Sequence, residues 1–174
     1  MSKTTVSTAL LVSGLAMALV MPGVTVYAQD DEEKPRLQPP VPAEYRDKKM
    51  PAGGWTNAAL IAKGEKIFQE GIEITTPEGG KENQKCAQCH GPQGKPKLKG
   101  ARDFRDASRI NKFGEAFWFW RVTEGVPGTK MPAWKGLLTE EEIWGAMAYE
   151  HQFSHDKQFV EHTHPETVGL DGEK

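Results

Sequence analysis

The sequence predicts an all-α protein, because three segments place apolar residues at helical spacing and turn-rich stretches separate them. The first helix starts near Trp55 and runs to about Gly71, a glycine that can end it. The second covers about 113–124, where aromatic residues share one face. The third begins at Thr139, where Thr-Glu-Glu-Glu predicts a capping box, and continues to about Phe153.

The stretches outside these helices have turn-forming or extended compositions. Residues 71–85 are polar and turn-rich, which predicts a surface loop. Residues 29–54 open with four acidic residues and contain five prolines. Proline at that density favours extended conformation and builds no core, so we expect an N-terminal arm that is a tether or a strap on the domain surface. Residues 154–174 are polar and acidic and are predicted to form a C-terminal tail.

The first 28 residues have the features of a cleaved signal peptide. The apolar run Ala9–Val20 has 12 residues, whereas a membrane span needs about 20. Small residues precede a cleavage point after Ala28, which polar Gln29 follows. We therefore expect residues 1–28 to be removed and the mature protein to lie in the periplasm or another extracytoplasmic space. Retention of this segment as an anchor is the alternative.

Composition excludes several classes of protein. The 174 residues include 22 Lys and Arg against 24 Asp and Glu, a net charge of −2, so a nucleic-acid binder that relies on bulk positive charge is excluded. A hydrophobic fraction of 37% excludes a polytopic membrane protein. Two cysteines exclude a disulfide-dense scaffold. At roughly 100–200 residues per domain, the chain holds one domain, predicted at 55–153.

Cys86, Cys89 and His90 form a Cys-x-x-Cys-His motif, which predicts the chemistry of the protein. The spacing lets both thiols reach the two vinyl groups of one haem and form thioethers, while His90 is placed next to ligate the iron. A redox disulfide would be expected in a βαβ setting, which the sequence does not show. A zinc site would need a second ligand pair, which the sequence does not offer. The motif therefore predicts one covalently bound haem c.

Met131 is the predicted sixth ligand of the iron. It lies in a loop between two predicted helices, where Pro132 stiffens the backbone and Trp134 can pack over the haem edge. The rival ligands lie in a helix, in the arm, or at and beyond the end of the last helix: Met147, Met50, His151, His155, His162 and His164. A core role for Met147 and solvent exposure for the histidines are the expected alternatives to ligation.

Charge is distributed unevenly along the chain. Residues 81–112 hold nine positive and three negative side chains, a net +6, and residues 138–174 hold two positive and nine negative ones, a net −7. Because the basic segment contains the haem motif, we expect it to steer an acidic redox partner to that face. The alternative is that these charges are only the solvated faces of loops.

These residues resemble class I cytochromes c over about 55–153. The resemblance rests on motifs in this order: Gly64 and Phe68, Cys86–Gly91, Asp103-Phe104, Gly125 to Trp134, Leu138-Thr139, Ile143-Trp144 and Ala148-Tyr149. It implies about three to five helices around one covalently attached haem with His and Met axial ligands. It also implies that Gly64 on the first helix meets Ala146 and Tyr149 on the last. The stretch 71–85 departs from the family, which usually joins the first helix to the first cysteine in a few residues.

The combined prediction is an exported monohaem cytochrome that carries single electrons between a donor and an acceptor protein. With both axial positions filled, the iron has no vacancy for a small-molecule substrate, so we expect an electron carrier and not an enzyme. A haem subunit docked permanently on a larger oxidoreductase is the first alternative, and the redox partner of either form is expected to be membrane-bound or a larger oxidoreductase. A haem enzyme with a labile sixth ligand is the last, because the sequence supplies no polar distal acid or base. The orientation of His90 should be fixed by a backbone carbonyl within 91–97.

Overall fold

The computed structural model describes residues 39–76 and 78–161. The predicted signal peptide, the first part of the arm and the end of the acidic tail lie outside the described residues. The described residues belong to one compact unit. Their helices and strands are α1 (Ala58–Gln69), β1 (Ile72–Thr75), β2 (Lys81–Gln84), α2 (Cys86–His90), α3 (Ala107–Ile110), α4 (Glu115–Glu124) and α5 (Glu140–His151). The prediction of a mostly helical protein is confirmed, and within these ranges no helix is both long and apolar enough to cross a membrane.

Side-chain caps set the starts of the two longest helices. The Asn57 side chain accepts a hydrogen bond from the Leu60 N–H at the start of α1 (3.0 Å). The capping box predicted at Thr139 is present, because the Thr139 side chain accepts from the Glu142 N–H and the Glu142 carboxylate accepts from the Thr139 N–H. Gly71, with a φ of +83°, follows α1 and lets the chain turn into β1.

The prediction of a surface loop at 71–85 is wrong in its secondary structure, because this surface segment contains two strands. β1 and β2 form an antiparallel hairpin in which Ile72 lies opposite Gln84 and Thr75 opposite Lys81. Isoleucines alternate with polar residues in β1 and are half-buried, whereas the polar residues between them are exposed. That alternation is the period of a strand with one covered face, and the glycines and polar residues around it concealed the signal.

The helices α1 and α5 pack together at two glycines. A Cβ placed on Gly64 would lie 1.8 Å from the Gly145 carbonyl oxygen and 2.7 Å from the Ala146 nitrogen, so the two backbones touch. Phe68 fills the side of this contact against Tyr149, with ring centroids 5.4 Å apart. The meeting of Gly64 with the last helix, implied by the resemblance, is confirmed, and Gly145 is the nearest partner.

Residues 39–56, called the strap from here on, lie on the domain. Val41, Tyr45 and Met50 are buried, so the expectation that the arm builds no core is wrong for this part of it. The Met50 N–H donates to Glu115 at the start of α4 (2.7 Å). Lys48 forms an ion pair with Glu140 at the start of α5 (2.6 Å). The strap also contains two short 3-10 helices, Ala43–Tyr45 and Gly54–Thr56, so it is not extended throughout.

Candidate haem site

The two cysteines and the histidine of the motif share the short helix α2. Cys86 and Cys89 are free thiols, both half-buried, and Cys86 packs against the hydrophobic core. The helix ends at Gly91, whose φ is +75° and where a Cβ would lie 2.0 Å from the Lys95 carbonyl oxygen. Only glycine permits that close approach, which folds the following loop back under the helix.

His90 is oriented by a hydrogen bond on one ring nitrogen. Its Nδ1–H donates to the carbonyl oxygen of Arg102 (3.0 Å), which leaves the lone pair of Nε2 available to a ligand. The ring stacks on Phe104 with centroids 4.3 Å apart. Burial lowers the pKa of His90, so the imidazole is held neutral, the state that ligates a metal.

The prediction that this acceptor lies within 91–97 is wrong. The loop carbonyls have other partners, since the Gly91 oxygen accepts from the Gly94 N–H (3.2 Å) and the Gly94 oxygen accepts from the Phe104 N–H (3.0 Å). The second of these bonds brings residues 102–104 beneath the imidazole. The loop therefore places the acceptor instead of supplying it.

The Cys86 thiol is kept in its neutral form. Burial, with a smaller contribution from the neighbouring Glu150 carboxylate, raises the pKa of Cys86 to about 12. A redox-active Cys-x-x-Cys pair has the opposite property, a lowered pKa that produces the thiolate. The environment of Cys86 therefore disfavours the redox-disulfide alternative.

Met131 lies in the loop between α4 and α5, and residues 125–135 are called the Met loop from here on. The Met131 carbonyl oxygen accepts from the Val126 N–H (3.2 Å), and its own N–H donates to the Thr129 hydroxyl (3.1 Å). The side chain is half-buried and packs against the same core as Cys86. A Cβ on Gly125 would lie 2.7 Å from the Met131 oxygen, so the loop is pressed against the end of α4.

The rival ligands occupy other positions. Met147 is 2% exposed within α5, and Met50 is buried in the strap, where its sulfur lies beside Gly54. His151 stacks on Trp55 with centroids 4.2 Å apart, and His155 stacks on His151. Both histidines therefore pack within the fold, so the expectation of solvent exposure is wrong for this pair. His162 and His164 lie outside the described residues.

Two buried donors give the site its fit to a haem. Trp134 is 2% exposed, and its indole N–H has no hydrogen-bond partner among the described residues. Leaving such a donor unsatisfied costs about 1–3 kcal/mol. Arg121 is 7% exposed, with its guanidinium 4.0 Å from the centroid of the Trp120 ring. A haem carries two propionates, and one of them would supply the acceptor that the Trp134 indole N–H lacks, so the residues present fit the group.

The sequence did not indicate the burial of Arg121, and it indicated only a packing role for Trp134. Arg121 follows Phe117 by four positions on α4, so the helical period already placed the cation on an apolar face. Burial lowers the pKa of Arg121, and the nearby Arg102 lowers it further.

The basic segment 81–112 exposes several lysines next to α2. Lys85, Lys95, Lys97 and Lys99 are all exposed. The Lys97 N–H donates to the Cys89 carbonyl oxygen (2.9 Å), so this part of the basic segment lies against the haem motif. Lys81, in contrast, forms an ion pair with Glu73 across the hairpin (2.6 Å).

Comparison with known families agrees with this site. Residues 79–149 match the family model described as cytochrome c oxidase, cbb3-type, subunit III. The match spans the Cys-x-x-Cys-His motif, the Met loop and most of α5. It identifies this part of the chain as a c-type cytochrome domain and confirms the resemblance to class I c-type cytochromes. Such a domain points to an electron carrier rather than an enzyme. No curated protein and no solved structure matches the chain.

Proposed function

We propose that the protein is an exported monohaem c-type cytochrome that carries single electrons between redox proteins. The observation that carries the proposal is the orientation of His90, which presents Nε2 from a helix that also holds two free thiols. When bound, a haem c supplies an iron that exchanges one electron between its ferric and ferrous states. The periplasm or another extracytoplasmic space is the proposed location, because of the signal-like residues 1–28.

Each residue of the site has a proposed task. Cys86 and Cys89 hold the haem through thioethers, and His90 and Met131 ligate the iron. Trp134 donates a hydrogen bond to a propionate, and Arg121 offers the same group a positive charge. Met131 is half-buried against the hydrophobic core, which supports its side chain on one side.

The mass of the purified protein tests the attachment and the processing together. We expect the mass of the chain from Gln29 plus one haem, and we expect the haem to stay with the protein in acid acetone, because thioethers survive a solvent that breaks axial bonds. A chain without that added mass refutes haem attachment. A haem-loaded chain that still starts at Met1 refutes only the cleavage.

The ligand assignment is tested by a pair of methionine variants. Met131→Ala should remove the sulfur–iron charge-transfer absorbance, lower the reduction potential and open the iron to carbon monoxide. The control Met147→Leu should keep the absorbance and cost less than about 1.5 kcal/mol of stability, because it conserves volume in the core. Loss of the absorbance in the control alone would assign the sulfur to Met147.

A subunit docked on a larger oxidoreductase is the second candidate, favoured by the match to an oxidase subunit III model. The rate of electron transfer to the isolated redox partner distinguishes a mobile carrier from a docked subunit. For a mobile carrier, Lys97→Glu with Lys99→Glu should lower the association rate, and salt above ~0.15 M should slow it steeply. Reversal of Glu161 and Glu166 to lysine is the control and should do little. Rates indifferent to salt and to the lysine reversal would favour the docked subunit.

A further inference from the structure

The Met loop takes its position from the last turn of α4. The Lys135 N–H donates to the Thr123 carbonyl oxygen (2.9 Å), and so does the Trp134 N–H (3.1 Å). Gly125, at a φ of +68°, brings the backbone within reach of Met131, and a Cβ there would lie 2.6 Å from the Pro132 carbonyl carbon. A shift of the last turn of α4 therefore moves the backbone that carries Met131.

Glu124, the last residue of α4, is held from two sides. The Tyr45 hydroxyl, on the strap, donates to Glu124 Oε1. The Lys135 ammonium, at the end of the Met loop, contacts the same oxygen at 2.7 Å. A carboxylate at the C-terminal end of a helix is disfavoured by the helix dipole, so it needs such donors to stay in place.

The two donors differ in their environment. Lys135 is 66% exposed, and ion pairs of that kind contribute little because water and salt screen them. Tyr45 is 6% exposed, and its ring packs near Phe119 with centroids 6.3 Å apart. The hydrogen bond from the Tyr45 hydroxyl is part-buried and is therefore less screened than the exposed ion pair. The firm support for Glu124 therefore comes from the strap.

We propose that Tyr45 is a positioning residue for Met131, acting through Glu124 and the Met loop. The strap thereby sets how firmly the sixth position of the iron is occupied. Without the hydroxyl, the Glu124 carboxylate keeps only its exposed partner and the unfavourable helix dipole, so the last turn of α4 loosens and Met131 leaves the iron more often. This proposal rests on the ligation of iron by Met131 in the proposed function.

The test compares Tyr45→Phe with Lys48→Met in the haem-loaded protein. Tyr45→Phe removes one oxygen and keeps the ring. Lys48→Met breaks a different strap-to-helix contact, the ion pair with Glu140 at 2.6 Å, which does not involve the Met loop. We expect Tyr45→Phe to raise the rate of carbon monoxide binding to the ferrous protein roughly tenfold and to weaken the sulfur–iron absorbance, because a hydrogen bond to a charged group is lost. Lys48→Met should change neither.

A second pair of variants distinguishes loss of the Tyr45–Glu124 hydrogen bond from a general loss of packing at Tyr45. Glu124→Gln retains an acceptor for the Tyr45 hydroxyl and should bind carbon monoxide nearly as slowly as the unaltered protein. Glu124→Ala should match Tyr45→Phe. Equal rates in Tyr45→Phe, Lys48→Met and the unaltered protein would overturn the role of Tyr45 while leaving Met131 as the ligand. Absence of the sulfur–iron absorbance from the unaltered protein would instead overturn the ligation, and this proposal with it.

Discussion

Replacing Gly64 with alanine should destabilise the domain by about 2 kcal/mol. The new Cβ would lie 1.8 Å from the Gly145 carbonyl oxygen, and relieving the clash to about 3.0 Å requires α1 and α5 to separate by about 1.2 Å. Overpacking of this kind costs typically ~1–3 kcal/mol, and about 3 is expected here because the new Cβ clashes with backbone atoms, which cannot move aside as a side chain can. The higher helix propensity of alanine offsets roughly 1 kcal/mol of that cost.

Urea unfolding of the haem-loaded protein, followed by circular dichroism, measures the effect as a lower midpoint with an unchanged slope. Gly145→Ala is a graded control, since its Cβ would lie 2.9 Å from the Leu60 oxygen and needs a shift of only a few tenths of an ångström. Its cost and the propensity gain should nearly cancel. Gly80→Ala in the hairpin, which meets only the Thr76 hydroxyl at 3.3 Å, should be neutral. A neutral or stabilising Gly64→Ala would refute the close contact between α1 and α5, because only helix propensity would then change the free energy of unfolding.

Two further predictions concern buried polar groups. Burial raises the pKa of the Glu150 carboxyl to about 8 from 4.5, so between these values the folded state holds a proton that the unfolded state has lost. The free energy of unfolding should therefore fall as pH rises from 5 to 8, by at most ~1.4 kcal/mol per pH unit and by less because Glu150 is half-buried. Glu150→Gln should remove this pH dependence. Equal pH slopes in both proteins would contradict the raised pKa of Glu150. Trp134→Phe should lower the reduction potential by tens of millivolts, where ~59 mV corresponds to a tenfold change in the equilibrium constant for one-electron reduction. The reason is that a propionate without its hydrogen-bond donor favours ferric iron. Trp118→Phe is the control, since its indole N–H donates to the Ile110 carbonyl oxygen (3.0 Å), and an equal shift in potential would count against the role of Trp134.

The parts of the fold that were predictable depend on short-range patterns. The capping box at Thr139 and the period of α1 are encoded within a few residues, so the sequence alone located them. The hairpin was missed because β1 is only four residues long, and its two isoleucines are flanked by glycines and charges that dominate the local composition. The strap was misjudged because burial of Val41 and Tyr45 depends on helices that lie much later in the chain.

The site shows the same division. The Cys-x-x-Cys-His spacing is local chemistry, so the attachment residues were predictable. The partner of His90 was not, because several backbone hydrogen bonds fold the loop after Gly91 before the chain reaches Arg102. The orphan indole N–H of Trp134 is a property of three-dimensional burial, and no pattern within the sequence reports it.

The contact between α1 and α5 has a consequence for the order of assembly. Gly64 and Gly145 are 81 positions apart, and closing so long a loop costs about 4 kcal/mol of chain entropy before any contact repays it. Cys86 and Cys89 lie inside that loop, and in the closed domain the Cys86 thiol has a pKa of about 12. Under the proposed function, synthesis and export would deliver the cysteines long before α5, while both thiols are still accessible and before burial raises the pKa of Cys86. Under the proposed function, the thioethers therefore form first, while the chain is still open. The last helix then packs against α1 and closes the domain around the attached cysteines.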